Sequence, residues 1–206
     1  MPFIDIHTHN RNAATDTAIL SGAPYDTERV FSAGIHPWDI TEGWEEKFNV
    51  VKALSRHSNA AAIGECGIDR MHSPANITLQ KEIFLAHTLL AEELHKPLII
   101  HCVKALDEII ALHREARPTQ AWIIHGFRGK PQQAVQLINA GFYIALGERF
   151  NPETAKAIPA DRLFIESDES TLPIEEIYTR IATAKNVDTA QLAGKIRLNA
   201  HIFGQF

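Results

Sequence analysis

The stretch Pro97-Leu98-Ile99-Ile100-His101 decides the fold class. Its apolar residues are consecutive, so the strand that they predict is apolar on both faces. Trp122-Ile123-Ile124-His125 has the same form, an apolar run that ends in a histidine. Strands with two apolar faces are typical of parallel sheets that are buried between two layers. The stretch therefore predicts a buried strand of an α/β protein.

Apolar runs of strand length recur along the chain and alternate with segments in which apolar residues have helical spacing. The predicted strands are Phe3–His7, Ala18–Ser21, Val30–Gly34, Ala61–Glu65, Pro97–His101, Trp122–His125, Phe142–Leu146 and Leu163–Ser167. The predicted helices are Glu42–Arg56, Leu79–His95, Ala105–Arg117, Pro131–Ala140, Asn151–Ala157, Ile174–Lys185 and Thr189–Phe203. This alternation indicates parallel βαβ units, and eight strands predict a TIM-type (β/α)8 barrel.

The predicted barrel is a minimal one. The chain has 206 residues, whereas this fold usually needs about 250. Asn10–Thr17 and Gly22–Arg29, which separate the first three predicted strands, are too short for a crossover helix. We expect a barrel that is distorted or thinly covered near the N-terminus. Because the sequence has no repeat, linker or low-complexity segment, we also expect residues 1–206 to form one domain.

The composition limits the possible partners and the compartment. Hydrophobic residues make up 45% of the chain, and the net charge of −5 excludes a global basic field for sequence-blind nucleic-acid binding. No apolar run approaches the length of a membrane helix, so we expect no membrane partner. Met1-Pro2-Phe3-Ile4-Asp5 lacks the pattern of a signal peptide. With only Cys66 and Cys102, the chain has no disulfide framework, and we expect a cytoplasmic location.

Six residues that could ligate a metal follow or end the predicted strands. His7 and His9 lie two apart, so the alternation of a strand points both to one face. The others end four further apolar runs, and the carboxyl ends of barrel strands meet at one mouth. The six-residue cluster predicted there is His7, His9, Glu65, His101, His125 and Asp168.

The size of this cluster predicts two divalent ions. Four imidazoles and two carboxylates exceed the needs of one tetrahedral ion, and they match two ions about 3.5–4 Å apart. Imidazole-rich ligation suits Zn, Mn, Fe or Ni better than Mg, so we expect Zn, Mn or Ni, with Mg as the less suited ion.

Seven sequence blocks resemble, in order, the signature blocks of the TatD-type metal-dependent hydrolases of the amidohydrolase superfamily. The blocks are FIDIHTHN (3–10), AGIHPW (33–38), AIGECGID (62–69), PLIIHC (97–102), IIHGFRG (123–129), GFYIALG (141–147) and LFIESD (163–168). The resemblance implies one metal on His7, His9 and Asp168, a second on His101 and His125, and Glu65 as the bridge. It also implies phosphodiester hydrolysis on DNA, often as a 3′ exonuclease.

The sequence departs from the family pattern around the predicted mouth. Asn10-Arg11 stand where the family has an acidic residue after its HxH, and Val103 and Lys104 replace an Arg and an Asp. The metal ligands are therefore predicted more firmly than the substrate.

Our mechanistic hypothesis is attack of a metal-bridging hydroxide on phosphorus. In it Asp168 and Glu65 are the catalytic residues, with Asp168 as the general base. We predict that His36, which ends the third strand, and the cations Lys104 and Arg128 contact the substrate.

Two other functions remain open at this stage. The acidic net charge and the altered mouth residues favour a related metallohydrolase that acts on a small amide, lactone or phosphoester. A metal-binding interaction module without catalysis is the third hypothesis, although a scaffold does not need all six ligands. The partner is thus a phosphodiester, such as single-stranded DNA or a DNA 3′ end, or a small molecule. The oligomeric state is left open.

Overall fold

A computed structural model describes residues 3–22 and 25–206 of the protein. This part of the chain contains one sheet of eight parallel strands, and their order in the sheet is their order in the sequence. The predicted (β/α)8 barrel is therefore confirmed. The strands are β1 (Asp5–Thr8), β2 (Ala18–Leu20), β3 (Phe31–Ala33), β4 (Ala60–Asp69), β5 (Leu98–Val103), β6 (Trp122–Ile124), β7 (Tyr143–Leu146) and β8 (Leu163–Ile165).

From β3 onward, each strand is followed by a helix. The α-helices are α1 (Trp44–Ser55), α2 (Ile77–Leu94), α3 (Leu106–Ala116), α4 (Pro131–Asn139), α5 (Pro152–Ala157), α6 (Ile174–Lys185) and α7 (Thr189–Asn199). Short 3-10 helices cover Pro37–Asp39, Ala160–Arg162 and Ala200–Phe203. No helix among the described residues has both the length and the apolar character needed to cross a membrane.

The strand bodies form the core. Leu98, Ile99 and Ile100 of β5 have no solvent exposure, as their continuous apolar pattern predicts. Trp122 of β6 is also buried, and it packs edge-on against Phe84 of α2 at a centroid distance of 5.1 Å. Burial of these side chains between the barrel and the helices is the main force that holds the two layers together.

The predicted C-terminal ends of two strands and of the last helix differ from those in the structure. Strands β4 and β5 continue past Glu65 and His101, which were predicted to end them, because ladder pairing extends to Asp69 and Val103. The predicted helix Thr189–Phe203 is also too long. It changes to a 3-10 helix at Ala200, and the chain turns at Gly204 with a positive φ of 66°.

The barrel is thinly covered near its N-terminus, as predicted. No helix lies between β1 and β2, and none lies in the described part of the connection between β2 and β3; Ala23 and Pro24 of the predicted segment Gly22–Arg29 are outside the described residues. The side chain of Arg29 contacts the loop between β1 and β2, where no helix covers the barrel. Its guanidinium donates to the carbonyl oxygens of Arg11 and Ala13, each at 2.6 Å, and so satisfies backbone acceptors that have no helix to pair with.

The barrel closes at the end that carries the predicted ligands. A parallel bridge joins Thr8 to Asp168, with hydrogen bonds from His9 N to Asp168 O at 3.0 Å and from Asp168 N to His7 O at 2.9 Å. Beneath this seam, Ser167 contacts the buried carboxylate of Asp5 through its backbone N and its Oγ, at 3.0 and 2.6 Å. Burial raises the pKa of Asp5 to about 7. The first and last strands therefore meet where His7, His9 and Asp168 project.

Candidate metal centre

Glu65 occupies the middle of the candidate site. The register of β4 against β5 slips between Ile63 and Cys66, so Gly64 and Glu65 together lie opposite one residue of β5. Such a bulge turns a side chain out of the regular alternation. Close packing holds the bulge, because a Cβ on Gly34 would lie 2.6 Å from the Glu65 carbonyl oxygen. The Glu65 side chain is only 6% exposed and points into the barrel mouth.

The two carboxylate oxygens of Glu65 face two different sets of imidazoles. Oε1 lies 2.7 Å from His101 Nδ1 and 2.6 Å from His125 Nε2. Oε2 lies 3.3 Å from His7 Nε2 and 3.8 Å from His9 Nε2. One carboxylate therefore joins two separate groups of nitrogen donors, which is the arrangement that bridges a pair of cations.

Asp168 completes the group around His7 and His9. Its Oδ1 lies 3.8 Å from the Nε2 atoms of both histidines. Its backbone has a φ of 54°, in the left-handed region, and is held by the hydrogen bonds of the barrel seam. Burial and the nearby Glu166 carboxylate raise the pKa of Asp168. The structure thus brings together all six residues of the predicted cluster.

Two further carboxylates lie beside the outer ring nitrogens of His101 and His125, and the sequence analysis did not predict them as site residues. Asp69 Oδ2 lies 3.1 Å from His101 Nε2, and Glu166 Oε1 lies 3.6 Å from His125 Nδ1. In each histidine the other ring nitrogen faces Glu65. An acidic partner on one nitrogen favours the proton there and leaves the lone pair of the other nitrogen free for a metal. His101 would thus ligate through Nδ1 and His125 through Nε2.

A sequence signal for one of these carboxylates existed. Glu166 directly follows the apolar run Leu163-Phe164-Ile165, so it is a possible ligand at the end of a predicted strand, the same signal that identified Glu65, His101 and His125. Asp69 gives no such signal, because its contact with His101 depends on the extension of β4 and β5 beyond their predicted ends.

The electrostatics of the six-residue cluster favour the binding of a cation. Burial raises the pKa of Glu65, but the attraction of His125 and the hydrogen bonds from His101 and His125 outweigh it, so the pKa lies well below its usual range. Burial lowers the pKa of His125, and the charges of Glu65 and Glu166 reverse this and place it well above its usual value. The carboxylates therefore attract positive charge to this point, which a bound cation would supply.

The residues present fit a divalent metal ion. Both nitrogens of His7 are buried and have no hydrogen-bond partner among the described atoms. A buried polar atom without a partner is costly, and a cation near His7 Nε2 would satisfy it. Three overlapping groups have donor atoms within 4.8 Å of one another: His7, His125 and Asp168; His7, His9 and Glu65; and His36, Glu65 and His101.

A family model described as TatD related DNase matches residues 4–203 of the chain. The chain belongs to this family. The match spans the whole barrel from the strand that carries His7 to the last 3-10 helix.

The matches with individual relatives cover only part of each relative's length. The metal-dependent hydrolase YabD of Bacillus subtilis is 34% identical over 143 residues, which are 66% of this chain and 56% of YabD. The 3′-5′ ssDNA/RNA exonuclease TatD of Citrobacter koseri is 29% identical over 84% of this chain and 70% of that protein. The chain thus spans little more than half the length of several curated relatives that it matches.

Solved TatD-family structures share the fold. The crystal structure of YJJV, a TatD homolog from Escherichia coli, superimposes with a TM-score of 0.82 at 17% identity, over 98% of this chain and 97% of that one. A TatD-family hydrolase from Entamoeba histolytica gives a TM-score of 0.77 at 16% identity, again over 98% of this chain and 97% of that one.

The predicted substrate-contacting residues line the same cavity as five of the six cluster residues of this TatD-family chain, all except the fully buried His7. The cavity has a volume of about 810 Å³, and His36, Lys104 and Arg128 are among its lining residues. His36 is the nearest of the three, with Nε2 3.1 Å from Glu65 Oε1. Lys104 and Arg128 are exposed at the rim.

Proposed function

We propose that the protein is a binuclear metal-dependent hydrolase that cleaves phosphodiester bonds, with single-stranded nucleic acid as the substrate. The observation that carries the proposal is the division of the Glu65 carboxylate between two imidazole groups, at 2.6–2.7 Å on one side and 3.3–3.8 Å on the other. One ion would be held by His7, His9 and Asp168, and the other by His101 and His125. Glu65 would bridge them.

The chemistry of the proposed reaction divides between the ions and the protein. Bound divalent ions lower the pKa of water and polarise a phosphoryl oxygen. Asp168 is the protein's general base, because its carboxyl group lines the cavity and is 24% exposed, unlike the more deeply buried Glu65. The imidazoles and Glu65 would hold the ions, and the hydrogen-bonded backbone of the seam keeps Asp168 beside them.

His36 acts on the substrate rather than as a seventh ligand of the ion pair. The backbone N–H of Trp38 donates to His36 Nδ1 at 3.1 Å, so this nitrogen carries the lone pair of the neutral ring. The proton of the neutral ring is therefore on Nε2, which points to the cluster. A protonated nitrogen cannot ligate a metal, but it can donate to a phosphate oxygen. We therefore assign His36 as a hydrogen-bond donor to the substrate.

Lys104 and Arg128 are the proposed phosphate contacts at the rim. Both line the cavity that holds the cluster. An Arg can bind two phosphate oxygens at once, and a Lys supplies a point charge. These two local cations would attract a polyanion although the whole chain has a net charge of −5.

A small ester or lactone is the alternative substrate. Three acidic side chains, Asp107, Glu108 and Glu169, also line the cavity. Glu108 is paired with Arg70, whereas Asp107 and Glu169 would repel a long polyanion and favour a compact neutral substrate. Activity on such a compound without activity on DNA would favour this alternative.

The test combines metal analysis with a substrate panel. Chelated protein is reloaded with Zn, Mn, Mg or Ni and assayed on 3′-labelled single-stranded DNA, bis-p-nitrophenyl phosphate, esters and lactones. We expect two ions per chain, DNA cleavage that falls steeply with added salt, and loss of at least one ion in Glu65→Gln. His201→Ala, which removes an exposed histidine outside the cluster, is the matched control. Hydrolysis confined to esters and lactones would contradict the proposal.

A further inference from the structure

We propose that Trp38 is a stacking platform for a nucleobase beside the cleaved phosphate. This inference rests on the proposed function, since it names the part of a nucleic acid that the same site would recognise. Trp38 lies in the 3-10 helix Pro37–Asp39, directly after His36. Its side chain lines the cavity that is also lined by Glu65, His101 and Asp168 of the six-residue cluster.

Trp38 is the most exposed of the three tryptophans. Its side chain is 50% exposed, whereas Trp122 is 1% exposed. The third tryptophan, Trp44, is partly buried and packs near Phe48 at a centroid distance of 5.8 Å. Trp38 therefore places a large apolar ring in solvent at the mouth of the barrel, where it contributes little to the core.

The indole is nevertheless held rigidly. Its Nε1–H donates to Asp69 Oδ2 at 2.7 Å, and Asp69 is fixed by backbone N–H groups of Met71 and His72 at 2.7 and 2.9 Å. Ser73 Oγ donates to the carbonyl oxygen of Pro37 at 2.7 Å and fastens the turn. A ring that is already fixed loses little conformational entropy when a ligand stacks on it.

The aromatic rings that the structure describes around Trp38 are all steeply inclined to the indole, and none of them stacks on it in parallel. The rings of His36, His72 and His101 all contact the indole edge-to-face, at centroid distances of 4.8, 5.6 and 5.9 Å. Among the described residues no aromatic ring lies parallel to the indole. A nucleobase is a flat aromatic ring of the kind that stacks in parallel on tryptophan, and every base has such a face.

The position of the platform fits a nucleotide. The indole of Trp38 lies 5.9 Å from the ring of His101, measured between centroids, so a base stacked on it would place its phosphate near the cluster. The donor Nε2 of His36, 3.1 Å from Glu65 Oε1, lies in the same place. The cations Lys104 and Arg128 line the same cavity and are available to the phosphates that follow along the strand. Stacking is indifferent to base identity, so we expect weak sequence preference.

Two substitutions separate stacking from support of Asp69. Trp38→Phe keeps an aromatic face but removes the donor to Asp69, whereas Trp38→Gln keeps a donor but removes the face. The probes are oligothymidylate and an abasic chain of equal length, both with phosphorothioate linkages that resist hydrolysis. Binding is measured by fluorescence anisotropy on the metal-loaded protein, with circular dichroism as the check of folding.

We expect Trp38→Gln to bind oligothymidylate roughly 5- to 150-fold more weakly, the range that loss of one base stack gives. Binding of the abasic chain should not change, and Trp38→Phe should stay close to the wild type on both probes. Oligothymidylate, but not the abasic chain, should quench the wild-type tryptophan fluorescence, and Trp38→Phe should abolish this quenching.

Equal losses on the two probes, or a loss in Trp38→Phe that Trp38→Gln escapes, would overturn the inference. The wild-type quenching decides the matter if Trp38→Gln does not fold. Failure of the proposed function is a different result, namely that the metal-loaded wild type cleaves neither ordinary oligothymidylate nor its abasic counterpart. Cleavage of both with equal KM would preserve the proposed function and refute the platform.

Discussion

Replacement of Asp69 by Asn should weaken metal binding although Asp69 is not itself a predicted ligand. Asp69 Oδ1 accepts two backbone N–H groups, at 2.7 and 2.9 Å, and Oδ2 lies 2.7 Å from Trp38 Nε1 and 3.1 Å from His101 Nε2. An amide has one oxygen and one NH2 group, so in either orientation two of these donors face another donor. His101 therefore loses either its acceptor or the negative charge of that acceptor.

The expected size of the effect follows from this geometry. Without an anionic acceptor on Nε2, His101 has less preference for the tautomer whose Nδ1 lone pair faces Glu65. Loss of such an orienting partner typically lowers metal affinity about 10- to 100-fold, which corresponds to about 1.4–2.7 kcal/mol. The unpaired N–H groups should also lower the free energy of unfolding by about 1–3 kcal/mol.

A matched control separates the two effects. Glu92 also accepts several hydrogen bonds, from Thr119 and Gln120, but it lies on α2 away from the cluster. Glu92→Gln should therefore lose stability without losing metal affinity. The assay is a titration of chelated protein with Zn²⁺ against a chromogenic competitor, with urea unfolding alongside. Metal affinity in Asp69→Asn within threefold of Glu92→Gln would refute the proposed orientation of His101.

Three further predictions concern the site and its support. His101→Ala and Asp168→Ala should each abolish turnover with circular dichroism unchanged; wild-type rates in both would show that the active site lies elsewhere. Gly34→Ala should lower the free energy of unfolding, measured in urea, by about 1–3 kcal/mol, because the new Cβ would lie 2.6 Å from a backbone oxygen. Gly194→Ala in α7, where a Cβ would have no atom within 4 Å, should raise the free energy of unfolding by about 0.5–1 kcal/mol. Equal effects of the two substitutions would contradict this prediction. Burial lowers the pKa of His87 to about 4, so as the pH falls below 6.5 the unfolded chain takes up a proton before the folded protein does. The free energy of unfolding should therefore decrease by about 3 kcal/mol by pH 4, relative to that of His87→Gln. Parallel pH profiles of the two proteins would refute this prediction.

The sequence predicted the donors of the site because the signal for each donor is local. An imidazole or carboxylate at the end of an apolar run is placed by its own strand, and parallel strands bring such ends together. His7, His101 and His125 needed no knowledge of distant residues for this reason. Fold class and the thin N-terminal region followed from the spacing of strands in the same way.

The parts that the sequence analysis missed depend on pairing between elements. The bulge at Gly64 and Glu65 and the extension of β4 to Asp69 arise from register with β5, which no single segment encodes. The contacts of Asp69 with Trp38 and His101 join residues that lie 31 and 32 positions away in sequence. Side-chain networks of this kind become visible only when the strands are assembled.

The closure of the barrel at Asp168 affects the order of assembly. The two halves of the seam come from opposite ends of the chain, and the contact between Ser167 and Asp5 spans 162 residues of sequence. Contacts of such long range form late during folding, because the entropy of closing the intervening chain must be overcome first. A divalent ion held by His7, His9 and Asp168 would thus bind only after synthesis and folding had reached the eighth strand, so occupancy of this position, unlike that of the His101 and His125 position, would distinguish completed molecules from partly folded ones.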